Sequence, residues 1–136
     1  MQKTDWRDVS SLPALTLAYI GDAVFELGVR RYFLERGTRR AEELHVQAVS
    51  CVKAKFQSRF YHYLEPRLSG EELQVMKRGR NAKSGHQPKN SDISDYRRAS
   101  GVEALFGALW LGGREERLRE LFAELYVFIE KEENHE

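Results

Sequence analysis

The sequence has one cysteine, Cys51, among 136 residues. An intrachain disulfide and a multi-cysteine zinc site are therefore excluded, and burial as a small hydrophobe accounts for Cys51 without chemistry. Long hydrophobic runs are also missing. The longest nearly apolar stretch, Val102 to Gly113, contains Glu103 and is too short to span a bilayer. The opening Met1-Gln2-Lys3-Thr4-Asp5-Trp6-Arg7-Asp8 has no apolar core of the signal-peptide kind, so a cytoplasmic protein is expected, with no membrane partner. His45, His62, His86 and His135 show no paired metal-ligand spacing. No Gly-x-Ser-x-Gly elbow supports a serine hydrolase.

An excess of one charge is lacking as well. Lysine and arginine number 22 and aspartate and glutamate 21, for a net charge of +1. Taken alone, that argues against a strongly basic nucleic-acid binder. The balance is uneven along the chain, however. Residues 1–110 hold 18 basic and 13 acidic side chains, a net +5, and residues 111–136 hold 4 and 8, a net −4. A basic body is masked by an acidic terminal segment, expected to face away from a polyanionic ligand.

What is present reads as one soluble domain. Hydrophobic residues make up 41% and charged residues 32%, a globular balance at a length that suits one core. Pro13, Pro66 and Pro88 punctuate helices. A long helix is expected from Pro13 to about Arg36, closed by Gly37, with apolar residues at helical spacing: Leu15, Tyr19, Phe25, Val29 and Phe33. A second is expected from Ala41 to about Leu64. Ser69-Gly70-Glu71-Glu72 has capping-box form and starts a third, reaching about Arg78. Gly79 to Ser91 reads as a loop, with little to bury. Ser94 or Asp95 caps a fourth helix to Leu111, ended by Gly112-Gly113, and Glu115 to about Lys131 forms a fifth. Strand-type alternation is nowhere sustained, so the fold class is all-α, a single helical bundle spanning residues 1–136.

Two carboxylates interrupt apolar stripes. The helical neighbours of Asp22 are Leu15, Ala18, Tyr19, Phe25, Glu26 and Val29. Those of Glu103 include Tyr96, Ala99, Phe106, Gly107 and Trp110. An ionised carboxylate on such a stripe is costly unless paired, hydrogen-bonded or bound to a cation. If the two helices pack together, the acids converge and can hold a hard divalent ion such as magnesium. The alternatives are that each caps a neighbouring helix or pairs with an arginine such as Arg30 or Arg98. Glu26, one turn after Asp22, is either a third ligand or a solvated residue at the stripe's edge.

The stretch from Met76 to Ser91 holds Lys77, Arg78, Arg80, Lys83 and Lys89 and no acid. Asn81, Ser84, Gln87 and Asn90 add polar groups, and Gly79 and Gly85 permit close backbone approach. This chemistry fits a sugar–phosphate backbone, and the lack of aromatics favours a duplex over unpaired bases. A solvated charged loop remains the alternative. Gly79-Arg80-Asn81-Ala82-Lys83-Ser84 is not a P-loop, because it lacks the second glycine before the lysine and follows a helical segment rather than a strand. Arg30, Arg31, Arg36, Arg39 and Arg40 gather near the end of the first helix, where arginines also serve as partners of the helix dipole.

Three motifs together resemble a known family. Tyr19-Ile20-Gly21-Asp22-Ala23-Val24-Phe25-Glu26 resembles the signature helix of the ribonuclease III catalytic domain, and Glu103-Ala104-Leu105-Phe106-Gly107-Ala108-Leu109-Trp110 its second acidic motif. Lys77-Arg78-Gly79-Arg80-Asn81-Ala82-Lys83-Ser84 is similar to the loop of the short Mini-ribonuclease III branch, which has no appended double-stranded-RNA-binding domain. Order and spacing agree over nearly the whole chain. Two positions depart from the full-length family, since Ala18 and Ser100 stand where it carries further acids.

The resemblance implies an all-helical endonuclease domain that works as a homodimer on double-stranded RNA with Mg2+. It implies maturation of precursor large-subunit (23S) ribosomal RNA, with Asp22 and Glu103 as the catalytic, metal-ligating acids. Lys77, Arg78, Arg80, Asn81, Lys83, Ser84 and Lys89 would then contact the RNA. A non-catalytic RNA-binding or ribosome-associated protein with the same fold is the competing reading.

Overall fold

A computed structural model of the chain describes residues 5–83 and 92–134. Seven helices form among them, and no strand: α1 (Trp6–Ser10), α2 (Ala14–Glu35), α3 (Ala41–Val52), α4 (Ala54–Leu64), α5 (Gly70–Asn81), α6 (Ile93–Leu111) and α7 (Glu115–Glu133). A single 3-10 turn, Glu65–Arg67, follows α4 and contains Pro66. The all-α expectation is met. No helix among the described residues is long and apolar enough to cross a membrane.

The local chemistry explains most boundaries. Gly37 (φ 109°) and Gly113 (φ 66°) take the left-handed conformation just past α2 and α6. Thr38 N–H donates to Phe33 O (3.2 Å) and Arg114 N–H to Leu109 O (3.0 Å), so both ends close as Schellman turns. Ser69 and Glu72 make the expected capping box at α5, with bonds of 3.2 and 2.8 Å.

Four sequence expectations are corrected. The helix expected over 41–64 is broken at Lys53, whose extended backbone (φ −65°, ψ 146°) separates α3 from α4. The expected loop at 79–91 starts too early: α5 continues through Gly79, Arg80 and Asn81, because Gly79 is a packing glycine. A β-carbon there would lie 2.9 Å from Gly101 Cα and 2.8 Å from Ala104 Cβ of α6. Ser84 and Lys89, with the rest of residues 84–91, lie outside the described residues. The cap of α6 is Asp92, not Ser94 or Asp95, and its carboxylate accepts from both of their N–H groups at 2.8 and 3.3 Å. Tyr19, expected on the core stripe, is 80% exposed; the buried stripe of α2 runs through Leu17, Ala18, Gly21, Phe25, Val29, Tyr32 and Phe33.

The central element is α6. From Ala99 to Leu109 every residue is buried except Glu103, which is half-buried. Helices α2, α4 and α5 pack around it. Phe106 meets Phe25 edge-on at 5.4 Å and lies 6.4 Å from Phe60, pairs worth about 0.5–1.5 kcal/mol each beyond simple burial. The acidic α7 closes the bundle with Leu118, Leu121, Leu125, Phe128 and Ile129. Arginines from the body meet its carboxylates: Arg36–Glu130 at 2.7 Å, Arg59–Glu132 at 3.0 Å and Arg67–Glu124 at 3.0 Å.

Candidate active site

The α2–α6 crossing builds the site. A β-carbon on Gly21 would overlap the carbonyl of Glu103 and lie 2.8 Å from Gly107 N; one on Gly107 would overlap Leu17 O and lie 2.9 Å from Gly21 N. The two backbones thus touch at a pair of glycines. Asp22 follows Gly21, and Glu103 lies one turn before Gly107. Backbone contact brings the two acids together, close enough for the Asp22 carboxylate to bear on that of Glu103.

The electrostatics are unbalanced. Burial and the neighbouring Asp22 carboxylate push the Glu103 carboxyl up from 4.5 to about 8. No arginine relieves it among the described residues. Arg30 pairs with Glu26 at 3.4 Å. Arg98 donates to Ser58 Oγ at 3.2 Å and lies 3.7 Å from Asp95. The caps that use an acidic side chain at the N-cap are Asp5 and Asp92. The pairing and capping alternatives for Asp22 and Glu103 are therefore not realised. Asp22 itself is exposed, so the acid sits beside the core stripe rather than within it, and the pair opens to solvent.

Glu26 does not join them: with Arg30 it forms a partly exposed surface pair. Ala18 and Ser100, at 7% and 8% exposure, are buried and bring no carboxylate. Accordingly, no group of three or more His, Cys, Asp or Glu residues placed to hold a metal ion occurs among the described residues.

One residue of the site escaped the sequence reading. Gln57 of α4 is 2% exposed, and its Nε2 donates to Val52 O at 3.0 Å and reaches Glu103 Oε2 at 3.5 Å. Its signal was present. A glutamine among Phe56, Phe60, Tyr61 and Leu64 interrupts an apolar face as Glu103 does.

The basic residues near the end of α5 divide into two sets. Arg78 Nη2 donates to Leu12 O at 2.7 Å. Arg80 Nη1 donates to Tyr61 Oη at 3.0 Å and Nε to Asn81 Oδ1 at 3.1 Å. These two arginines hold the fold as well as carrying charge. Lys77, Asn81 and Lys83 are exposed. Packing at Gly79 sets this end of α5 against the Ser100–Ala104 stretch of α6, which carries Glu103. The arginines near the end of α2 are largely engaged: Arg31 with Glu35 at 2.7 Å, Arg36 with α7, Arg40 with Glu42 at 3.0 Å, and Arg39 with Leu34 O at 2.6 Å.

Fold and site together define an all-helical domain carrying an open pair of facing carboxylates at its central crossing. The family model described as Ribonuclease III domain matches residues 15–114, a span that holds both acids, so the chain belongs to the ribonuclease III family. Its relatives place it, an endoribonuclease, in the Mini-ribonuclease III branch. Mini-ribonuclease 3 of Symbiobacterium thermophilum is 46% identical, over 89% of this chain and 93% of that one. Mini-ribonuclease 3 of Brevibacillus brevis is 44% identical, over 97% and 99%. The crystal structure of a protein from Fusobacterium nucleatum shares 30% identity and superposes with a TM-score of 0.75, covering 87% of this chain and 94% of that one.

Proposed function

We propose that the chain is a magnesium-dependent endoribonuclease of double-stranded RNA, acting as a cytoplasmic homodimer in the maturation of precursor large-subunit ribosomal RNA. The facing pair Asp22 and Glu103 carries the reading. Two carboxylates in reach of each other need either a shared proton or a cation, and with no arginine on either of them a divalent ion fits the donor set. Hard oxygen donors open to solvent suit Mg2+, which keeps several of its waters. Asp22 and Glu103 would hold the ion, which when bound supplies an acidified water and offsets charge on the scissile phosphodiester.

The chain's own groups do the rest. Glu103 would release its proton to solvent in order to hold the ion, and Asp22, on the exposed side, would face the approaching phosphate. Lys77 and Lys83 supply phosphate pairing, as Ser84 and Lys89 do in this reading, and such contacts read backbone shape rather than sequence. Arg78, Arg80 and Asn81 add charge and hydrogen bonds at the same helix end.

An apolar groove of about 640 Å3 supports the homodimer. It is lined by Val24, Leu27, Gly28, Trp110, Phe122 and Tyr126, among others. Leu27 and Trp110 are 70% and 48% exposed there, and both stand on the helices that carry the two acids. A two-fold partner on this face would set two sites across one duplex. The test is incubation of a generic RNA duplex with Mg2+ and with chelator, with the mass of the protein in solution measured alongside. Cutting of both strands only with Mg2+, by a dimer, is expected. Equal cutting in chelator overturns the cation.

A further inference from the structure

The geometry points to Gln57 as a positioning residue that fixes the Glu103 carboxylate for the divalent cation. This rests on the cation reading of the Asp22–Glu103 pair. The nearer group in reach of Gln57 Nε2, the Val52 carbonyl at 3.0 Å, can only accept. The amide must therefore turn its NH2 end to it, which settles its orientation and leaves the same nitrogen 3.5 Å from Glu103 Oε2. One nitrogen thereby ties the last carbonyl of α3 to the acid on α6, across the break at Lys53.

The bond to Val52 O gives the amide a structural role, but that role does not require its second contact, to Glu103. Gln57 is 2% exposed and shares its face of α4 with Phe56, Phe60, Tyr61 and Leu64. Its Oε1 is buried with no hydrogen-bond partner among the described residues, an arrangement that costs stability. An apolar side chain of similar volume would avoid that cost but would leave the Val52 carbonyl without its donor. What it could not do is restrain Glu103, a long side chain with several rotamers, in a site that has only two acids. Donation to Glu103 also favours its ionised form, opposing the effect of Asp22. Residues that orient a ligand in this way commonly change metal affinity by about 10–100-fold when removed.

The experiment compares wild type, Gln57→Leu and Asp22→Asn by calorimetric titration with Mg2+ in the absence of RNA. Steady-state cleavage of a generic duplex and thermal unfolding without metal complete the comparison. Wild type is expected to bind Mg2+ and Asp22→Asn to lose binding, which tests the site itself. Gln57→Leu is expected to weaken Mg2+ binding at least about tenfold, to lower kcat at fixed Mg2+ and to leave KM for the duplex unchanged. Its unfolding midpoint without metal should change little, the lost bond to Val52 O offsetting the relief at Oε1. Unchanged Mg2+ affinity in folded Gln57→Leu, or a lowered midpoint as the sole effect, overturns the positioning role while leaving the cation site standing. No Mg2+ binding by wild type overturns both. If the leucine variant does not fold, Gln57→Met, unbranched and of similar volume, replaces it under the same criteria.

Discussion

Gly21 of α2 lies against the backbone of Glu103 in α6, with no space for a β-carbon between them. The contact fixes both the height and the rotation of the two helices, so Asp22 and Glu103 face each other as a consequence of packing. Gly21→Ala should therefore damage stability and activity together. Overpacking in a core costs about 1–3 kcal/mol, and an overlap with rigid backbone belongs at the top of that range. Urea unfolding should show the loss, and cleavage should fall further than the folded fraction does. A variant that is destabilised yet fully active per folded molecule would mean that the crossing does not set the acids.

Asp22→Asn separates chemistry from fold. Asp22 is exposed, so its replacement leaves the core untouched. Loss of a cation ligand removes several kcal/mol of transition-state stabilisation, a fall in rate on the order of 10³-fold or more. Circular dichroism and solution mass should match wild type. Turnover at a comparable rate would remove Asp22 from the catalytic site.

The helix order and its glycine and proline punctuation were legible in the sequence because those signals are local: Gly37, Gly113 and the Ser69 capping box act within one turn of their own position. Asp22 and Glu103 were legible for another reason, that a charge beside an apolar stripe demands an explanation wherever it falls. The break at Lys53 was not legible. No glycine or proline marks it, and the Val52 carbonyl freed there is taken by a side chain five residues on. Gly79 reads as a loop residue in the sequence because a glycine needed for close packing looks the same there as one needed for a turn. The double duty of Arg78 and Arg80 was hidden likewise, because their partners, Leu12 and Tyr61, are 66 and 19 residues away.

The raised carboxyl of Glu103 gives the metal-free protein a definite pH dependence. Its folded value of about 8 stands above the ordinary 4.5, so the folded state holds a proton that the unfolded chain releases. The associated stability is complete below pH 4.5 and is lost as the pH rises towards 8. In the proposed function a divalent cation would take the place of that proton. Thermal unfolding with chelator should fall in midpoint between pH 5 and pH 8, and stabilisation by Mg2+ should be larger at pH 8 than at pH 6. In Asp22→Asn the fall should be smaller, with the repelling charge gone. A flat profile with chelator would show that Glu103 ionises normally.

Acid acts in the opposite sense on Glu72. It is 3% exposed, caps α5 and is held by Arg117 through bonds of 2.8 and 3.0 Å. Although burial alone would raise it, the Arg117 bonds and the Ser69 cap together hold its carboxyl below the ordinary value. Its contribution is thus present above pH 4.5 and is lost as the pH falls through the lowered value. Arg117→Ala strands a buried carboxylate, which costs about 3–5 kcal/mol in fully buried pairs. With Arg117 itself 28% exposed, the lower end is expected. Chemical unfolding at pH 7 reads the loss, and at pH 3 the difference between variant and wild type should shrink.

The basic end of α5 should separate into charge and structure. Lys77 and Lys83 are exposed, and replacing both with glutamine should leave the unfolding midpoint unchanged. If each pairs with a phosphate, duplex binding weakens, and the slope of log affinity against log salt falls by about 1–2. Arg80→Ala behaves differently. It removes the 3.0 Å bond to the buried Tyr61 hydroxyl, and about 1–2 kcal/mol of stability should go with it. A salt slope that does not move in the double lysine variant would place the RNA on another face of the domain. A midpoint that does not move in Arg80→Ala would make that arginine a surface charge alone.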